Sequence, residues 1–191
     1  MLVTGGGKMA EHTFLAEKSV LAVDDEVDIL ETIEDILDES NVDTARDYES
    51  ASEKIKKQTY DLVILDIMGV NGLQLLEESV AKGFPTVMLT AHAVNPDTLM
   101  ASIRKGAISY LPKESLADLD DLLNDLLGAY ERGEAPWKLL FEKLGSYFDE
   151  RFGADWKEAE KTFWSDFDQT YEIGKGIQER LKKDARILDK F

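Results

Sequence analysis

A parallel β-sheet with helices on both faces, followed by a helical extension, is predicted by three observations. Short uninterrupted apolar runs recur through the first 130 residues. They alternate with stretches in which apolar residues return at helical spacing. Two of the runs end in carboxylates: Asp24-Asp25 closes Val20-Leu21-Ala22-Val23, and Asp66 closes Leu62-Val63-Ile64-Leu65. Runs of this length, bounded by polar residues, read as parallel strands covered on both faces.

The elements follow in order. Residues 19–24 form the first strand, and Ile29, Ile33, Ile36 and Leu37 mark a helix over 28–39. A short second strand spans 42–46, and a polar helix over 50–57 turns Ala51 and Ile55 inward. The third strand is 61–66. Leu73, Leu75, Leu76 and Val80 mark the third helix, opened by the turn Asn71-Gly72. The fourth strand is 86–90. Asn95-Pro96 then supplies a cap and a proline at the first helical position, with Leu99, Ile103 and Ala107 continuing that helix. A fifth strand at 108–111 precedes an amphipathic helix over 116–130.

Five alternating strand–helix units imply right-handed crossovers. They point to the flavodoxin-like strand order 2-1-3-4-5. That order sets Asp24, Asp25 and Asp66 on adjacent strands, at the reversal point where open sheets of this kind bind ligands. Carboxylates packed there repel one another and need a shared proton or a cation. A hard divalent ion such as Mg²⁺ suits an all-oxygen donor set.

Glu131-Arg132-Gly133-Glu134 breaks the alternation. Pro136 opens a helix carrying Trp137, Leu139, Leu140, Phe141, Leu144, Tyr147, Phe148 and Phe152, with Gly153 at its end as a C-cap. A second helical region carries Trp156, Phe163, Trp164, Phe167 and Tyr171, and Gly174 and Gly176 interrupt it before a charged ending. The chain thus divides into a flexible leader (1–17), an α/β domain (18–130) and an aromatic helical extension (131–191). The spacing of Trp137, Phe141, Leu144 and Phe148 predicts packing, either back onto the α/β domain or against a second copy in a homodimer.

Composition narrows the function. With no cysteine among 191 residues, disulfides, thiolate chemistry and Cys-based zinc sites are excluded. Such a chain fits a reducing cytoplasm. No apolar stretch is long enough to span a bilayer, and Met1-Leu2-Val3-Thr4-Gly5-Gly6-Gly7-Lys8 lacks the apolar core of a secretion signal. Gly5-Gly6-Gly7-Lys8 is no phosphate loop, because its glycine spacing is wrong and no strand precedes it. The net charge is −17. It resides in residues 1–130, with 25 Asp+Glu against 10 Lys+Arg, whereas 131–191 hold 14 against 12. Such a surface repels DNA and anionic membranes, and no basic stripe or helix-turn-helix pattern appears.

The order of short motifs carries more. Val23-Asp24-Asp25-Glu26, Leu65-Asp66-Ile67-Met68, Met88-Leu89-Thr90-Ala91 and Lys113 after the fifth strand together resemble the receiver domain of two-component response regulators over about residues 19–130. The resemblance implies a phosphoacceptor at Asp66, an acidic pair Asp24-Asp25 for Mg²⁺, a hydroxyl at Thr90, a second cation at Lys113 and a switch aromatic at Tyr110. It also implies a third protein contact to the metal from the backbone carbonyl of Met68. The chemistry agrees, since phosphoryl transfer to a carboxylate needs a free acceptor oxygen and cations where charge spreads over the phosphoryl group. The implied partner is a sensor histidine kinase or phosphotransfer protein. The implied output is a change in protein–protein contacts, with no enzymatic activity beyond the chain's own phosphorylation and dephosphorylation.

The sequence also departs from the family. Ile67-Met68-Gly69-Val70-Asn71-Gly72 is shorter than the usual loop and lacks its proline, while Pro112 precedes Lys113 and Glu114 follows it. These changes motivate a second reading, a receiver-shaped adaptor that works without phosphate. An aspartate-nucleophile phosphatase is disfavoured, because Met68 stands where such enzymes place a second Asp. His92 reads as a loop residue near the site entrance, and His12 has no role.

Overall fold

The computed structural model describes residues 13–91 and 95–172. His12, His92, residues 1–8 and the charged ending lie outside them. Five parallel strands, β1 (Ser19–Val23), β2 (Asn41–Ala45), β3 (Leu62–Leu65), β4 (Thr86–Thr90) and β5 (Ser109–Pro112), form one sheet in the order β2-β1-β3-β4-β5. This is the flavodoxin-like order predicted from the alternation. The inner strands β1, β3 and β4 are almost wholly buried, which is why they read as unbroken apolar runs. Strand β2 lies at the edge and alternates more polar residues.

Helices α1 (Val27–Ile36), α2 (Tyr48–Lys57), α3 (Gly72–Ala81), α4 (Pro96–Arg104) and α5 (Leu119–Glu131) cover the sheet. Two of them start on side-chain caps. Asp47 accepts from the Ser50 amide at 2.8 Å, and Asn95 from the Thr98 amide at 3.0 Å ahead of Pro96. Each cap satisfies an amide that the helix itself leaves unpaired.

Most boundaries fall within two residues of the sequence reading; three larger differences each have a local reason. The first helix ends at Ile36 rather than Glu39, because the chain turns to bring Ser40 Oγ to the Leu15 carbonyl at 2.8 Å. The fifth helix starts at Leu119 rather than Leu116, because Lys113–Asp118 form a 3₁₀ turn whose first residue is drawn into a buried ion cluster. Residues 13–17, the end of the segment read as a leader, form a turn on the domain: Leu15 is buried in the core and the Glu17 amide donates to the Glu39 carbonyl at 2.8 Å.

Beyond α5, helix α6 (Pro136–Phe152) ends at Gly153, and α7 (Lys161–Glu172) follows a short 3₁₀ turn. Trp137, Leu140, Phe148, Trp156, Trp164 and Phe167 join the same apolar cluster as the sheet. The extension therefore packs back onto the α/β domain. The Trp137 indole donates to the Ala107 carbonyl at 2.8 Å, and Lys143 pairs with Asp125 of α5 at 2.7 Å. Arg104, the last residue of α4, lies 4.8 Å from the Phe163 ring centroid. No helix among the described residues is long and apolar enough to cross a membrane.

Candidate functional site

Strand register assembles the site. Val23 is level with Leu65 across β1 and β3, so Asp24 and Asp66 emerge side by side one residue beyond the strands. The Asp66 amide donates to the Val23 carbonyl at 2.9 Å, which extends the ladder to the carboxylate itself. Across β4 and β5, Thr90 is level with Pro112, and this delivers Lys113 to the same end of the sheet.

There the Lys113 ammonium meets three carboxylates: Asp24 Oδ2 at 2.7 Å, Glu26 Oε1 at 2.9 Å and Asp66 Oδ2 at 3.0 Å. Lys113, Asp24 and Asp66 are 8%, 2% and 5% exposed, so this is a buried ion cluster. Burial pushes the Asp24 carboxyl above its usual range, against the pull of Lys113. Burial alone would lower the Lys113 ammonium, but Asp24, Glu26 and Asp66 outweigh it and hold its pKa above the ordinary lysine value. The second oxygens are also engaged: Asp24 Oδ1 accepts from the Glu26 amide at 3.0 Å and Asp66 Oδ1 from the Ile67 amide at 2.7 Å.

Asp25 is exposed, at the mouth of the cluster, yet one of its oxygens lies within 4.8 Å of oxygens of both Asp24 and Asp66. An all-carboxylate set this close matches what a hard oxygen-seeking cation requires. The shortened loop after Asp66 forms one wall. Gly69 has φ +72°, and a Cβ there would lie 2.5 Å from the Asp25 carboxyl carbon. Gly72 sits so tightly beneath the Asp66 carbonyl that a Cβ would collide with it. Met68 is 54% exposed, and its carbonyl accepts from the Val70 amide at 2.8 Å across Gly69. That leaves one lone pair of the Met68 carbonyl for any other partner.

Thr90 is fully buried, and its hydroxyl has no hydrogen-bond partner among the described residues. It does not join the ion cluster. Tyr110 stands on β5, fully buried, with its hydroxyl 2.9 Å from Thr98 Oγ1 of α4 and its ring 6.3 Å from that of Phe148. Burial pushes its phenol up to about 12. Sequence reasoning missed Glu26, Gly69, Thr98 and Phe148. Glu26 directly follows the acidic pair, but nothing in the sequence says that it turns back to a lysine 87 residues later.

The fold and this carboxylate–lysine constellation define a response regulator receiver. The response regulator receiver domain family matches residues 20–126, more than half of the chain, and the chain belongs to that family. It is a module of two-component systems. Among curated relatives, the phosphate regulon transcriptional regulatory protein PhoB of Escherichia coli (strain K12) is 32% identical over 104 residues, covering 50% of this chain and 45% of PhoB. The response regulator ArlR of Staphylococcus saprophyticus is 30% identical over 135 residues, covering 68% of this chain and 59% of ArlR. The chain thus spans about half the length of these relatives. Among solved structures, a CheY-like receiver domain protein from Methanospirillum hungatei JF-1 superposes with a TM-score of 0.56 at 26% identity, over 61% of this chain and 98% of that one.

Proposed function

We propose that this chain is a phosphoacceptor switch: Asp66 takes a phosphoryl group from the phosphohistidine of a sensor kinase or phosphotransfer protein, and the modified site alters protein–protein contacts. The observation that carries this reading is the convergence of Asp24, Asp25, Asp66 and Lys113 at one sheet end. A purely structural site has no need of so many buried charges, since each costs desolvation energy.

Roles follow from position. An Asp66 oxygen attacks phosphorus, a P–O bond forms, and the P–N bond to the donor histidine breaks with its electron pair leaving on the imidazole. Lys113, already 3.0 Å from Asp66, follows the developing charge onto a phosphoryl oxygen. Thr90 has a buried hydroxyl free to donate to another. Asp24 and Asp25, with Asp66, would hold a divalent cation, and the carbonyl of Met68 is the further donor the loop offers. Mg²⁺ bound there would neutralise charge on the incoming phosphoryl oxygens. The phosphoryl group ends on the chain's own Asp66.

The test is beryllofluoride, which mimics a phosphoryl group on a carboxylate. With Mg²⁺, the wild type gives a bound ¹⁹F resonance and Asp66→Asn does not. Equal signals from both proteins, or none from either, would overturn the assignment.

A further inference from the structure

Three rings of the extension surround one ammonium. Lys157, in the turn between α6 and α7, places its Nζ 4.7 Å from the ring centroid of Phe141, 5.3 Å from that of Trp156 and 5.1 Å from that of Trp164. Phe141 comes from α6, Trp156 from the turn and Trp164 from α7. Trp164 meets Phe141 at 80° and Trp156 at 83°, so the rings form walls rather than a stack. Trp156 and Trp164 are buried, and the Trp156 indole donates to Asp149 Oδ1 at 2.9 Å, which fixes that ring and leans negative charge onto it. A cation set over several ring faces is attracted by their quadrupoles.

A lysine is a poor fit for this box. Its ammonium carries three N–H donors, and among the described residues no carboxylate pairs with that of Lys157; the adjacent Glu158 pairs with Lys161 instead. The spacing is also long for a bare ammonium. A C–N bond of about 1.5 Å and a carbon contact of about 3.5 Å set a methylated nitrogen about 5 Å from a ring. Lys157 itself is exposed, so it can leave the box for water and solutes can enter. We infer that Phe141, Trp156 and Trp164 form a binding site for a quaternary ammonium, the headgroup of choline or trimethyl-lysine, and that Lys157 is the resident it displaces. A quaternary nitrogen has no N–H to leave unpaired and turns methyl carbons to the rings. None of these residues belongs to the carboxylate–lysine cluster, so the site does not depend on the reading of Asp66.

The chain supplies its own reporters, because two of its three tryptophans, Trp156 and Trp164, are walls of the box and Trp137 is not. The ¹⁵N-labelled full chain is titrated with choline chloride at constant ionic strength, and the three indole N–H resonances are followed. Those of Trp156 and Trp164 are expected to shift saturably, and that of Trp137 least. The uncharged isostere 3,3-dimethylbutan-1-ol should give no saturable shift. Lys157→Ala should fold, because the side chain it trims is exposed. It should tighten choline binding about two- to fivefold, the strength of the ring–ammonium contact it removes at an exposed position. A trimethyl-lysine peptide titrated in parallel separates the sources: comparable affinities assign a free solute, and binding at least about tenfold tighter assigns a protein-borne headgroup. Absence of saturation in both the wild type and Lys157→Ala, an equal response to the alcohol, or an affinity that Lys157→Ala does not raise would overturn the site.

Discussion

Lys113 is the one cation of the described residues that reaches Asp24, Glu26 and Asp66, and Lys113→Met isolates what it does. Methionine keeps the length of the side chain and removes the charge. Two of its three partners are buried, so their carboxylates are left facing each other without compensation. Breaking a buried pair by deleting one partner costs about 3–5 kcal/mol. Glu26, with its side chain 53% exposed, adds little, because exposed pairs contribute only about 0–1 kcal/mol. The expected loss is therefore near the lower end, about 3 kcal/mol. For a chain of this size that lowers Tm by about 10 °C. Thermal and urea unfolding in EDTA measures the loss. Mg²⁺ should then restore most of it, since a ligand at about 100 times its Kd stabilises by about 2.7 kcal/mol. A loss below about 1 kcal/mol, with identical curves in EDTA and Mg²⁺, would refute the buried ion cluster on which the site rests.

Three further outcomes follow from the geometry. Gly69→Ala should lower stability and weaken Mg²⁺ binding in calorimetry at least about tenfold, because its Cβ meets the Asp25 carboxylate. Adding Asp25→Ala should recover part of the stability and none of the binding, which separates collision from backbone strain. Asp43 accepts from Tyr60 at 2.7 Å and pairs with Lys54, and these partners outweigh burial and hold its carboxyl below the usual range. Its contribution is thus present above the unfolded carboxylate pKa of about 4 and fades as pH falls through the lower folded value. Urea midpoints should show Asp43→Asn costing about 1 kcal/mol at neutral pH and nothing at strongly acid pH. Trp137→Phe should cost about 1 kcal/mol in the same assay by leaving the buried Ala107 carbonyl unpaired.

Much of this was legible in the sequence for a physical reason. A strand buried on both faces is apolar along most of its length, so β1, β3 and β4 announce themselves, and a charge at the end of such a run marks the sheet's rim. Once Asp24 and Asp66 were set on adjacent strands, repulsion alone implied a shared proton or a cation. The contacts made by loops and by distant segments were not legible. Glu26 reaches Lys113 only because α1 begins where it does, and Gly69 approaches Asp25 only through the path of a shortened turn. Leu15 belongs to the core because Ser40 and Glu39 tie its turn to the edge of the sheet. The aromatic spacing of α6 gave a buried face without naming what covers it. The structure supplies that surface: β5 with Tyr110 at its centre, and Ala107 just ahead of the strand.

The most direct test of the account is chemical trapping. After incubation with acetyl phosphate and Mg²⁺, borohydride reduction converts an aspartyl phosphate to homoserine, which peptide mass spectrometry locates. Homoserine is expected at position 66, dependent on Mg²⁺ and absent without the phosphodonor. Conversion at another carboxylate, or no conversion in a folded protein, would contradict it.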